Sequence, residues 1–263
     1  MTFEALVLLL LIGLFAIIAG GFATLYHKLS LAIDRLSKQS THDADNVITQ
    51  TEALLSLYAE LSPRYGFPQT RGWAASPDFL RTVSRAVAQE RPAVVLECSS
   101  GISTIVLALS LRKQGSGKVH SLEHDPAFAE KTRALIALHG LEDWATVIDA
   151  PLRDCELPGW KGAWYSTENI PTGLLADLLV IDGPPFDTCA LARYPALPIL
   201  SRRLRPNASI FLDDADRPDE RRMVARWQDE LRELERIPYL AAEKGIAGFR
   251  VRSSVDSPLG AIS

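Results

Sequence analysis

Between residues 93 and 214, five short strand-like runs alternate with helical segments, and each run ends at or just before a carboxylate. They are Ala93–Glu97, Lys118–Glu123, Ala145–Asp149, Leu178–Asp182 and Ala208–Leu212, the last followed at once by Asp213-Asp214. The segments between and after them read as helices. Thr104–Lys113 is stopped by Gly115, and a second helix opens at Asp125-Pro126 and closes at His139-Gly140. A third is interrupted by Pro195 and Pro198, and Asp219–Glu235 turns Val224, Trp227, Leu231 and Leu234 inward. Strands alternating with helices of roughly 10–15 residues predict a parallel sheet covered on both faces. Residues 237–252 add two strands that turn at Glu243–Gly245. Ligands of such sheets bind at the carboxyl ends of the strands, near the point where strand order reverses. Ordinary surface acids would not all fall at that one edge.

Composition narrows the classes. Of 263 residues, 47 % are hydrophobic and 23 % charged, a globular mixture. A net charge of -4 leaves no basic stripe for phosphates, so nucleic acid is not an expected partner. Cys98, Cys155 and Cys189 are too few for a disulfide framework and lack metal-ligand spacing, as in a reduced compartment.

The N-terminus differs in kind. Ala5–Leu25 runs 21 residues without a charge. As a helix it spans about 31 Å, which matches a hydrocarbon core of about 30 Å. A cleaved signal peptide would begin with basic residues, and Met1–Glu4 has none, although small residues between Ala16 and Ala23 leave cleavage open. His27, Lys28, Arg35 and Lys38 follow the span, which places the remainder in the cytoplasm. The expected organisation is a single-pass transmembrane anchor in the lipid bilayer (1–27), a helical stalk or linker (28–64), one cytoplasmic domain (65–252) and a tail (253–263).

Within the stalk, Leu29, Ile33 and Leu36 form one stripe. After a polar interruption at Gln39–Asp43, Ala44, Val47, Thr51, Leu54, Tyr58 and Leu61 form another. It is short for a coiled coil, so it can support a homodimer or lie on the membrane or the domain. Pro63, Gly66 and Pro68 end the segment. Ser76-Pro77-Asp78 starts the next helix, with Ser76 as its cap. Residues 150–173 show no long helix. Connections of that length are usually functional, and Trp160, Trp164 and Tyr165 predict a packed lid or small hairpin.

The first strand runs into Glu97-Cys98-Ser99-Ser100-Gly101-Ile102-Ser103-Thr104 and then a helix. Gly101 lets a cofactor approach the backbone, and the helix start favours carboxylate groups. Ser103 and Thr104 offer hydroxyls or a cap, and Glu97 can accept from an ammonium or amide. A single glycine makes this neither a GxGxxG nor a Walker loop, so a plain strand–helix turn is the alternative. Glu123, 26 residues after Glu97, can accept both hydroxyls of a ribose, with His124 beside it. Asp149 can accept from an adenine amino group or act as a capping acid. Asp182-Gly183-Pro184-Pro185 carries an acid from a buried strand into a stiff turn that admits a cis bond. Asp182, Asp213 and Asp214 together repel unless protons or a cation neutralise them, and Mg²⁺, Mn²⁺ or Ca²⁺ suits such ligands. Alternatively, Asp182 orients substrate while Asp213 or Asp214 caps the following helix or pairs with Arg217.

The stretches GWAASPDFL (72–80), VVLECSSGISTIVLA (94–108), VHSLEHDP (119–126), DLLVIDGPP (177–185) and IFLDDADR (210–217) occur in that order. The succession resembles class I S-adenosylmethionine-dependent methyltransferases, in particular the small O-methyltransferase-like group, over about residues 65–252. The resemblance implies an α/β Rossmann-like sheet of about seven mostly parallel strands with a C-terminal antiparallel hairpin. It implies S-adenosyl-L-methionine as cofactor. Glu97 and Gly101 would line the methionine end, with Ser99 replacing the first loop glycine and Ser103 and Thr104 nearby. Glu123 would hold the ribose beside His124, and Asp149 would lie near the adenine. Asp182, Asp213 and Asp214 match the metal ligands of catechol-type members, which implies Mg²⁺ or another divalent cation, although Asp214 replaces their usual Asn. Those members also carry a Lys base after Asp182. Its absence here leaves Asp182 as the expected catalytic base when no cation serves. The expected function is O-methylation of a small-molecule or lipid-linked envelope acceptor. Two other readings stay open: a degenerate fold acting as a membrane-anchored scaffold, and a Rossmann-type nucleotide-dependent oxidoreductase, for which the loop has too few glycines.

Overall fold

The computed structural model describes residues 2–70, 72, 74–240 and 242–252. The expected tail over 253–263 and Trp73 lie outside them. The chain divides into two units, residues 1–49 and 50–263.

Helix α1 (Phe3–Leu61) is continuous, and the polar stretch Gln39–Asp43 does not break it. Residues 22–61 contain neither Gly nor Pro, so the ladder is not interrupted. The hydroxyls of Thr24, Thr41 and Thr49 bond back to carbonyls four residues earlier. In the first unit, Leu8, Phe15, Ile18 and Phe22 are exposed. Among the described residues, α1 alone is long and apolar enough to cross a membrane, and none of that apolar stretch is buried in the protein.

The second unit is an α/β domain. In chain order it has α2 (Pro77–Glu90), β1 (Val94–Cys98), α3 (Ile102–Gln114), β2 (Lys118–Glu123), α4 (Pro126–His139) and β3 (Ala145–Asp149). These are followed by β4 (Leu152–Leu157), β5 (Trp160–Tyr165), β6 (Ala176–Ile181), α5 (Ala196–Leu200), β7 (Leu204–Leu212), α6 (Pro218–Glu230), β8 (Leu234–Leu240) and β9 (Ile246–Val251). Seven strands form one sheet in the order β3-β2-β1-β6-β7-β9-β8. The first five of these are mutually parallel, and the β8–β9 hairpin closes one edge antiparallel, as expected. Strand order reverses between β1 and β6. Both faces are covered. Val95 belongs to one apolar cluster with Phe79, Val83, Ile105 and Leu109, while its neighbour Leu96 belongs to a second with Trp164, Leu197 and Trp227. Alternate residues of a strand point to opposite faces, so burial on both sides demands the continuous apolar runs seen in the sequence.

Three details depart from the sequence reading. Helix α6 ends at Glu230 rather than Glu235, because Leu231 leaves helical geometry and Leu234 joins β8. The face of α1 buried in the domain is Gln50, Ala53, Leu57 and Leu61, which shares only Leu61 with the stripe through Thr51 and Leu54. The compact unit therefore begins at Gln50, ahead of residue 65. Finally, Ser76 makes no side-chain cap bond. Gln50 takes that place: its Oε1 accepts from the Asp78 N–H at 3.1 Å and its Nε2 donates to Asp78 Oδ2 at 2.8 Å. Asp78 also accepts from the backbone N–H groups of Phe79 and Glu243, which ties α1, α2 and the β8–β9 turn together. The long connection is the expected hairpin, with β4 and β5 paired from Leu152–Tyr165 to Leu157–Trp160.

Candidate functional site

A cavity of about 370 Å³ opens over the carboxyl ends of β1, β2, β6 and β7. It lies at the reversal of strand order, where this architecture leaves a crevice. Ser99 and Ser100 come from the turn after β1, Glu123 and His124 from the end of β2, Asp182 and Gly183 from the end of β6, and Asp214 from the end of β7. Tyr165 enters from the β5 hairpin strand. Phe186, Arg193 and Arg217 come from the segments that follow β6 and β7.

Glu123 anchors one end. It is buried, and its Oε2 accepts from Ser100 N at 3.1 Å and Ser100 Oγ at 2.7 Å. Its Oε1 accepts from the N–H groups of His124 (2.9 Å) and Asp125 (3.1 Å). Burial raises its pKa, but His124, Asp125 and Ser100 outweigh this and leave it below the usual range. His124 Nδ1 lies 3.0 Å from Glu123, whose carboxylate raises the imidazole's pKa. A fixed carboxylate ion thus sits at the end of β2.

Beyond Ser99 and Ser100, the loop residues Glu97, Gly101, Ser103 and Thr104 support this end without lining the cavity. Glu97 is fully buried; its Oε2 accepts from Thr104 Oγ1 at 2.7 Å and from Ser121 Oγ, while Oε1 has no partner. Thr104 also accepts from Gly101 N, and Ser103 is buried beside it. Ser99, standing where the resemblance has glycine, holds φ +111°, a conformation that strains any residue with a Cβ. Asp149 is not brought to the cavity. Its exposed carboxylate receives Arg133 of α4 at 2.6 Å, because β3 is the edge strand and α4 packs beside it.

Burial pushes Glu97 up to about 7, against the hydroxyls of Ser103, Ser121 and Thr104. A carboxyl with a raised folded pKa favours the folded state while protonated. It forfeits on the order of 3 kcal/mol as pH rises from about 4.5 to about 7. Glu97→Gln is neutral at every pH. Its Tm relative to the native chain should therefore increase between pH 5 and pH 8; a pH-independent difference in thermal unfolding would refute the buried protonated acid.

The other end is acidic but not unpaired. Asp182, Asp213 and Asp214 offer oxygens within 4.8 Å of one another, as the sequence predicts. Arg193, which sequence reasoning passed over, lies among them and is buried. Its Nη2 is 3.0 Å from Asp214 Oδ2 and 3.3 Å from Asp182 Oδ1. Arg217 reaches Asp214 Oδ2 at 2.8 Å, the pairing weighed from sequence, and Lys244 stands 3.7 Å from Asp214 Oδ1. Burial raises Asp182 to about 6, with Arg193 opposing. Burial raises the pKa of Asp213 well above its ordinary value, and Asp182 and Asp214 add to the rise. The one signal for Arg193 was a lone charge in the apolar run Ala190–Leu200; such a charge is buried only if paired.

Gly183 shows how tightly Tyr165 is set. A Cβ there would strike the Tyr165 hydroxyl and come within 3.0 Å of Ser99 Cβ. The following Gly183–Pro184 bond is cis.

The fold is shared with known proteins. Residues 96–215 match a family described as a methyltransferase domain. An arginine N(omega)-methyltransferase from Streptomyces achromogenes subsp. streptozoticus is 25 % identical over 133 residues, 49 % of this chain; the match spans only 36 % of that relative's length. The S-adenosylhomocysteine-bound methyltransferase PaMTH1 of Podospora anserina superposes with a TM-score of 0.59 at 14 % identity, covering 81 % of this chain and 96 % of that one. The O-methyltransferase TomG of Streptomyces achromogenes, in complex with S-adenosylmethionine, gives 0.55 at 16 % identity, covering 80 % and 96 %. The chain has the class I S-adenosylmethionine-dependent methyltransferase fold. Within that fold, residues 96–215 carry the match to the methyltransferase-domain family.

Proposed function

We propose that the chain is an S-adenosylmethionine-dependent methyltransferase acting on an oxygen of a small-molecule acceptor, tethered to a membrane by α1 with its domain in the cytoplasm. One observation carries the chemistry: an ionised Glu123 and a basic Asp182 line one cavity from strand ends on either side of the switch point. The residues fit the cofactor. Glu123 offers carboxylate oxygens for the ribose hydroxyls, and the turn after β1 brings Ser99 and Ser100 to the same cavity. Bound there, S-adenosylmethionine supplies a methyl already activated by its sulfonium.

The chain's own residues then have three tasks. Ser99, Ser100 and Glu123 orient one reactant. Tyr165 and Phe186 wall the remaining space and exclude water. Asp182 accepts the acceptor's hydroxyl proton as the new oxygen–carbon bond forms. O-methylation is supported by the likeness to the O-methyltransferase TomG. The arginine-methylating relative favours a second reading, in which the same carboxylates receive a guanidine nitrogen. The anchor reading rests on the unburied apolar stretch of α1, since a core helix would hide that surface. It makes a lipid-linked acceptor the natural alternative to a soluble one.

Calorimetry on the full chain in detergent micelles tests the core of this. S-adenosylmethionine and S-adenosylhomocysteine should each bind at one equivalent, and NADH should not. No binding of either would overturn the proposal and leave the scaffold reading standing.

A further inference from the structure

We propose that Arg193 is the resident cation of this site, standing where the acidic cluster would otherwise require a divalent ion, so that the site works without a metal. The last clause alone rests on the methyltransferase reading.

The donor set does not fit a metal. A divalent cation would bind Asp182 Oδ1 and Asp214 Oδ2 at about 2.0–2.6 Å. Nη2 of Arg193 already lies 3.3 Å and 3.0 Å from those same two oxygens. An ion between them would collide with the guanidinium and face its charge. Arg217 also shares Asp214 Oδ2, and Oδ1, which accepts no hydrogen bond, faces a further cation, Lys244, at 3.7 Å. Asp182 and Asp214 thus meet three side-chain cations, Arg193, Arg217 and Lys244.

The guanidinium is built in rather than swung in. It donates to the backbone carbonyls of Asp182 (2.9 Å), Asp213 (3.1 Å) and Pro184 (3.4 Å), so every nitrogen is used on the two turns that carry the acids. A planar fork of five donors matches this arrangement, which a spherical ion could not. Burial disfavours its charge, but Asp182 and Asp214 outweigh this and keep it protonated. Arg193 also lines the cavity. Its job is positioning: it fixes Asp182 in one rotamer and supplies a constant positive charge beside the reacting atoms.

The test is Mn²⁺ uptake by the full chain in detergent, read from the electron paramagnetic resonance of free Mn²⁺. The native chain should take up none at this site. Its S-adenosylmethionine affinity should be the same, within about twofold, in EDTA and in Mg²⁺. Arg193→Ala frees Asp182 and Asp214 and should gain one Mn²⁺, lost again when Asp214→Asn is added. Arg193→Lys keeps a cation there and should gain none. The proposal is overturned if the native chain binds one Mn²⁺ that Asp182→Asn removes, if EDTA weakens cofactor affinity tenfold or more, or if a folded Arg193→Ala takes up no Mn²⁺. Should Arg193→Ala fail to fold, the native measurements decide. A chain that binds no S-adenosylmethionine in any buffer refutes the methyltransferase reading instead, and the Mn²⁺ result still stands for Arg193.

Discussion

Glu123→Gln is expected to weaken S-adenosylmethionine binding by about a hundredfold or more while the domain stays folded. The argument is one of donor and acceptor counts. The carboxylate receives four donors within the protein, Ser100 N, Ser100 Oγ, His124 N and Asp125 N. A ribose diol adds further donors, which an anion with about four lone-pair sites can share once the Ser100 hydroxyl turns to Thr132, 3.0 Å away. An amide presents two hydrogens of its own on one side and opposes these donors. Hydrogen bonds to a charged group are worth about 1.5–3 kcal/mol each, so losing two accounts for the predicted factor. Calorimetry gives the affinity, and thermal unfolding separates a lost contact from a lost fold. Asp149→Asn is the internal comparison. Its side chain is exposed and bound to Arg133 outside the cavity, so its effect should stay within about twofold. Native-like affinity in Glu123→Gln would remove the ribose assignment.

The contrast between Glu123 and Asp149 shows what the sequence could and could not reveal. Both end a parallel strand, and from the sequence both look equivalent. Strand order separates them: β2 is flanked on both sides, whereas β3 is the edge, where α4 delivers Arg133 to the carboxylate. Periodicity places strands and helices because burial on two faces forces apolar runs. It does not order them across the sheet, so it cannot say which strand ends share a crevice. The hairpin of residues 152–165 was legible from its aromatics, since Trp160 and Trp164 need burial and lie around Pro158, Gly159 and Gly162, which disfavour a helix. The cap of α2 was not, because the partner that replaces Ser76 is Gln50, 28 residues before the Asp78 it bonds. Arg193 is the same case. Local spacing shows the acids of the cluster, which follow one another along the strands, but not the cation that a separate segment folds among them.

Asp182→Asn should retain the cofactor and lose methyl transfer by about 10²–10⁴-fold, the usual weight of a positioned base. The substitution is nearly isosteric. Arg193 would still hold Asp214 and its three backbone carbonyls, so the cavity should keep its shape. The pH dependence carries a sign that distinguishes a base from a mere contact. Burial holds Asp182 at about 6, above its ordinary 3.8. It must be ionised to accept a proton, so the native rate should fall as pH drops through about 6 and level off above it. At pH 7 most of the population is then active, and the raised pKa gives a better proton acceptor than a surface aspartate would be. Asn cannot titrate, so the residual rate of the variant should lose this inflection, which a purely structural defect would leave in place. The measurement is S-adenosylhomocysteine release between pH 5 and pH 8 with the acceptor the native chain methylates best, beside calorimetry of the variant. Full activity in Asp182→Asn, or a native profile flat across that range, would show that another group takes the proton.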